Sequence, residues 1–193
     1  SHSGEAVHQR LVRAMLDRTG FGEADLQCGC HLPLYYQATG ETAPAGARFD
    51  QIAHNCSGKH AGFLAFCRLH DADPARYLDQ GQPLQTRIRR KAYAVAGGAM
   101  TQGIDGCSAP NFALPLTRLA KLYVDLAASE DESMRAVFFA MTRHPDLVSG
   151  TGRTDLAVMQ AGRGDWIAKI GAAGVQAIGV RSKGIGIALR IAD

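Results

Sequence analysis

No apolar run among the 193 residues approaches the ~20 that a helix needs to cross a bilayer. The chain also opens without the apolar stretch of a secretory signal. Lysine is scarce: five of the 21 basic residues, at 59, 91, 121, 169 and 183, are lysine, and the remainder are arginine. The net charge of +3 is too weak to indicate nucleic acid. The densest basic run, residues 87–91, has only Tyr93 as an aromatic neighbour and reads as a solvated helix face. Repeats and low-complexity tracts are absent. Apolar residues at 46% and charged ones at 20% exclude a disordered chain. Five cysteines, an odd number in a chain able to build its own core, argue against a disulfide scaffold. A reducing, cytoplasmic setting fits them better. Glycine is plentiful, 22 of 193, about 11% against the usual ~7%. With no collagen period it belongs to turns, caps and close backbone approaches.

Hydrophobic spacing predicts a run of helices followed by strands. Val7, Leu11, Met15 and Leu16 share one face of a helix over 4–18, with Ser3 placed to cap it and Gly20-Phe21 to stop it. Residues 22–50 are irregular. The polar turn from Asn55 to His60 opens a helix over 61–69 that is apolar nearly all round and therefore buried. Further helices are predicted over 83–96, with Leu84, Ile88, Ala92 and Val95 inward, and over 116–126. Another follows the capping box Ser129-x-x-Glu132, and a short one follows the Ser149–Gly152 loop. Residues 103–111 read as a loop. The period then changes to two: 166–170, 175–181 and 185–191 are strands, joined by turns too short for a parallel crossover. Ile185, Ile187, Leu189 and Ile191 share a face that calls for helices behind it. Helices first and an antiparallel meander last give an α+β fold. Residues 1–193 read as a single domain. The unfinished sheet and an opening that is not Met lead us to expect the central part of a longer one.

Several residues carry chemistry. Lys169, in Ala168-Lys169-Ile170-Gly171, sits among apolar neighbours at a strand end, where desolvation favours a general base. It resembles the Lys-Thr-Gly strand of penicillin-recognising serine enzymes, with Ile for Thr. Cys56 and His60 are one helical turn apart, and with a distant Cys107 they offer two thiolates and a nitrogen to a tetrahedral zinc, leaving one position open. Cys67 reads as a core residue, and Cys28 and Cys30 are too close for zinc spacing. Ser1 precedes a helix N-terminus, where an oxyanion is favoured, and it needs a base, Lys169 or His2.

The segments Ser1-His-Ser-Gly-Glu5, Asn55-Cys-Ser-Gly-Lys-His60, Gly103-Ile-Asp-Gly-Cys107, Arg143-His-Pro145, Gly152-Arg153 and Lys169-Ile-Gly171 occur in this order. They resemble the asparaginase II family, the class 3 or rhizobial inducible-type L-asparaginases, from the first residue nearly to the last. The resemblance implies a fold similar to serine β-lactamases and glutaminases, helices packed on an antiparallel sheet. It implies a zinc cofactor held by Cys56, Lys59 and Cys107, with Lys59 where spacing alone suggests His60. Ser1 and Lys169 match one of two serine–lysine pairs. Asp105 matches a residue that holds the substrate, and His60 and Arg153 fall at substrate-binding positions. Where the family has a cysteine in the Gly-Arg segment, Thr154 or Asp155 stands. The second pair belongs to an S-x-x-K motif upstream of Ser1, and no such motif occurs in the 193 residues.

The expected function is an amidohydrolase converting L-asparagine to L-aspartate and ammonia through a serine–lysine acyl-enzyme. Ser1 and an upstream serine both stand as candidate nucleophiles. The partner is the small substrate, with no nucleic acid and no membrane, and a homodimer is compatible with this reading. The rivals are a zinc-stabilised or truncated homologue acting as a binding module, and a penicillin-recognising acyl enzyme.

Overall fold

The computed structural model describes residues 1–98 and 100–192, and its fold is α+β, as expected. The chain divides into two compact units. The first comprises Ser1–Ala94 with Met100–Ala113, and the second runs from Leu114 onward together with residues 95–98.

The first unit opens with α1, Ala6–Thr19. Its cap is Glu5 rather than Ser3: the Glu5 N–H donates to His8 Nδ1 while the Glu5 carboxylate closes the reciprocal bond. The helix starts late because Gly4 takes φ +80, and a Cβ there would lie 2.3 Å from the Ala53 carbonyl oxygen. Ser3 instead donates its hydroxyl proton to Glu5. The stop at Gly20 is as the sequence suggests: the residue is left-handed, and the Phe21 N–H reaches the Leu16 carbonyl at 3.0 Å.

The buried face of α1 is His8, Val12 and Leu16, one position on from the expected stripe, with Val7 and Leu11 exposed. His8 turns inward because its ring caps the helix and stacks on His2, 4.8 Å between centroids. A short helix the sequence hid, α2, spans Leu34–Thr39. Helix α3, Ser57–Leu69, packs against α1. It is one-sided rather than buried all round: Ser57, His60, Ala61, Leu64 and Cys67 face inward, whereas Leu69 is 81% exposed. Helix α4 spans Pro83–Ala96 as expected, with Leu84 inward. The predicted loop at 103–111 is a hairpin, β1 Thr101–Ile104 against β2 Pro110–Ala113. Val12, Leu16, Leu26, Ile52, Leu64, Tyr77 and Leu84 form the core. Each of the larger ones stabilises the fold by about 1.5–3 kcal/mol through burial.

The second unit contains α5 (Leu116–Ala128), α6 (Glu132–Arg143), α7 (Pro145–Val148) and α8 (Thr154–Ala161). The cap of α6 is Asp131, which accepts from the Met134 N–H, rather than Ser129; Ser129 Oγ accepts from the Asp131 N–H one step earlier. Three strands follow, β3 Trp166–Ile170, β4 Val175–Val180 and β5 Ile185–Arg190, in an antiparallel sheet of order β3-β4-β5.

Helix α5 packs on β4 and β5, but on the face opposite to the one expected. Gly179 pairs with Gly186, and a Cβ on either would lie 2.4 Å from the Tyr123 carbonyl oxygen or 2.0 Å from that of Ala120. Two paired glycines let the helix backbone settle directly on the sheet. Ile185, Ile187 and Leu189 stay 40–48% exposed on the other side. Alternation shows which residues share a face, whereas the small residues decide which face a helix can approach. Ala127, Phe138 and Ile167 are the centre of this second core.

Candidate functional site

In the first unit, two separate segments meet around a cluster of sulfur, nitrogen and oxygen. The Ser1–Glu5 segment is docked onto the start of α3. The His2 N–H donates to the Asn55 carbonyl at 3.0 Å, and its ring Nδ1 accepts from the Gly4 N–H. His2 Nε2 lies 3.2 Å from Ser57 Oγ, whose own proton goes to the Ile52 carbonyl. This fixes the turn that carries Cys56, the residue capping α3. Lys59 and His60 follow on its first turn. The β1–β2 turn supplies the rest. The Asp105 N–H donates to the Ala109 carbonyl and the Ser108 N–H to the Asp105 carbonyl, both at 2.8 Å, with Ser108 left-handed at φ 68.

These constraints gather Cys56, Asp105 and Cys107, whose donor atoms lie within 4.8 Å of one another. Lys59 Nζ stands 3.1 Å from Cys107 Sγ and 3.6 Å from Asp105 Oδ2. Four of the expected residues are thus together. His60 is beside them, fully buried, with Nδ1 2.7 Å from the Tyr77 hydroxyl. Ser1 lies at the exposed start of the docked segment.

The two thiols divide their protons unequally. The hydrogen bond from Cys56 holds Cys107 far below the ordinary thiol range. It does so against burial, and His60, Lys59 and the Ala109 N–H add to it. The same bond, with burial, pushes Cys56 up. Burial alone would lower Lys59, but its hydrogen bond to Cys107 and the neighbouring thiols and Asp105 carry it above its ordinary value.

His54 braces the turn: its Nδ1 accepts from the Cys56 N–H at 2.9 Å. Burial first, then the nearby His31 ring, pulls its pKa down to about 4. The folded state therefore prefers a neutral ring. Its contribution to stability is complete above the unfolded value, about 6.5, and is lost as pH falls towards 4. Urea unfolding at pH 7 and pH 4.5 is expected to show a loss of about 2–3 kcal/mol from this residue. In His54→Asn, which keeps an acceptor but does not titrate, the loss should be smaller by that amount. Equal losses in the two proteins would refute the assignment.

The second unit holds a separate polar group. Lys169 Nζ, on β3, donates to Asp155 Oδ2 at 2.5 Å, and Gln176 Nε2 donates to Asp155 Oδ1 at 3.1 Å. Asp155 is 0% exposed, and the Lys169 side chain is 19% exposed. Burial would raise the Asp155 carboxyl. The Lys169 charge and hydrogen bond, the Ile170 N–H and Gln176 outweigh it and hold the carboxyl below its usual range. Sequence alone assigns Asp155 no role. The signal available was an acid on the first turn of a helix close in sequence to a strand lysine. Arg153 precedes α8, and among the described residues its Nε is buried without a hydrogen-bond partner, as is Ser149 Oγ.

The L-asparaginase II family model matches residues 1–193, the whole chain. A search of curated proteins finds no match to it. With the α+β fold, this makes the protein an amidohydrolase enzyme. The chain belongs to the L-asparaginase II family, whose activity is hydrolysis of the side-chain amide of L-asparagine. Among the described residues no helix is long and apolar enough to cross a membrane.

Proposed function

We propose that this L-asparaginase works through a serine–lysine acyl-enzyme and carries zinc beside its substrate. The observation that supports the metal is the convergence of Cys56, Lys59 and Cys107 from two distant segments, with Asp105 alongside. Two sulfur donors and a nitrogen are a set that suits zinc. Binding would displace protons from Lys59 and Cys56, so metal uptake would release protons. Bound zinc would supply a positive charge that orients the substrate. Asp105, His60 and Arg153 are assigned to substrate binding.

In the acylation step a serine Oγ attacks the amide carbon of asparagine. The serine proton passes to an amine, the C–N bond breaks, and ammonia leaves with a proton returned to it. Water then cleaves the β-aspartyl ester and restores the serine. By resemblance to the family, Ser1 is assigned a hydroxyl role and Lys169 an amine role in this chemistry. The five free thiols suit a reducing, cytoplasmic setting, and a homodimer is compatible with this assignment.

The test is ammonia release from L-asparagine together with elemental analysis of protein purified without added metal. One zinc per chain with turnover is the expected result. Zinc without turnover would leave the binding-module alternative. Turnover without zinc, or a Cys56→Ser protein with unchanged zinc, would remove the metal from the proposal.

A further inference from the structure

Cys56 caps α3 and His60 follows one turn on, a spacing that by itself offers His60 as a metal ligand. The hydrogen bonds behind the ring point to another role. The Gln27 N–H donates to the Tyr77 hydroxyl oxygen at 2.7 Å, and that oxygen lies 2.7 Å from His60 Nδ1. Both Tyr77 and His60 are fully buried. Burial also holds the Tyr77 phenol above its ordinary range, so its proton stays on.

Among the described residues the Tyr77 oxygen has these two partners alone. An amide N–H cannot accept, so the phenol proton goes to His60 Nδ1. If Nδ1 were the donor instead, a buried phenol proton would have no acceptor. An imidazole that accepts at Nδ1 carries its one proton at Nε2. His60 Nε2 is buried and has no nitrogen or oxygen partner among the described residues. It lies away from the Tyr77 side of the ring, and the Cys107 side chain counts His60 among its hydrogen-bonding neighbours. A protonated nitrogen has no lone pair for a metal.

We infer that the Gln27–Tyr77–His60 relay fixes His60 as its Nε2–H tautomer. His60 is then a positioning residue that turns an N–H donor towards the Cys107 sulfur and leaves metal ligation to Cys56, Lys59 and Cys107. The ligand half of this rests on the zinc assignment above; the tautomer half does not. An N–H directed at a ligating sulfur fixes its orientation and draws charge from it.

The experiment is long-range 1H–15N correlation on histidine-labelled protein of the full chain, metal-free and zinc-loaded, with His60 assigned through His60→Gln. The expected result is a protonated Nε2 in both states. A protonated Nδ1, or a metal-bound nitrogen shift at Nε2 on loading, would overturn the inference. Tyr77→Phe removes the relay proton and should bring the Nδ1–H form into view; an unchanged tautomer would also overturn it. With cobalt in place of zinc, Tyr77→Phe and His60→Ala should move the sulfur-to-cobalt band to longer wavelength. His60→Gln, which can offer an amide N–H near the Nε2 position, should restore it. Identical bands in all four proteins would count against the donor role. If cobalt does not bind at all, the zinc assignment and the ligand half fall together. The tautomer measured in metal-free protein still decides the rest.

Discussion

Replacing Lys169 by Met is expected to lower asparagine turnover by roughly 10²-fold or more, the loss usual when a general base is removed. Methionine keeps the length and apolar stem of lysine but offers no proton acceptor. The structure adds a complication that the sequence did not show. Lys169 is the cationic partner of the fully buried Asp155, so the substitution strands a carboxylate that keeps only Gln176 and the Ile170 N–H. Some destabilisation will accompany the loss of activity. The double variant Lys169→Met with Asp155→Asn separates the two effects, because it removes both charges together. Circular dichroism and urea unfolding should show the double variant to be more stable than Lys169→Met alone, while its turnover stays equally low. Wild-type turnover in either variant would place Lys169 in a structural role only.

Much of the fold was legible because its signals are local. The meander from Trp166 to Arg190 follows from a two-residue period broken by short glycine turns, and α4 matches its expected ends. The misplaced features depended on contacts remote in sequence. The α1 stripe shifted by one residue because His8 pairs with His2 and closes the Glu5 cap. The β1–β2 hairpin was hidden because its strands are four residues long and its turn carries the cluster instead of apolar residues. The covered face of the sheet was misjudged because a glycine pair, and not the isoleucines, admits α5.

The candidate site divided in the same way. Cys56, Lys59, Asp105 and Cys107 could be singled out from residue type and resemblance, but only the fold shows the α3 cap meeting the hairpin turn. His60 shows where spacing runs out. An i, i+4 pair places two side chains on one face, yet the nitrogen offered depends on Tyr77 and Gln27, which are distant in sequence. The signal at Asp155, an acid on the first turn of a helix with a strand lysine 14 residues later, becomes a pair only once α8 packs on β3.

Replacing Asp155 by Asn is expected to destabilise the protein by about 3 kcal/mol. Asn keeps the shape and an oxygen for Gln176, but it removes the charge that Lys169 faces. The lower end of the range for breaking a buried pair applies because the lysine keeps 19% exposure and part of its hydration. The pH dependence gives a second readout. The folded Asp155 carboxyl lies below its usual range, so the wild type gains stability from it above the unfolded value of about 3.9 and loses it as pH falls through the folded value. In Asp155→Asn that acid limb should flatten, and the gap between the two proteins should narrow as pH falls through the folded value. The pH–rate profile of kcat should also change, because Lys169 has lost its anionic hydrogen-bond partner. A purely structural Asp155 would lower stability and leave the profile in place. Urea unfolding from pH 7 to 2.5, paired with ammonia release across the same variants above pH 5, distinguishes the two. An Asp155→Asn protein as stable as the wild type at pH 7 would show that the buried pair contributes nothing to the fold.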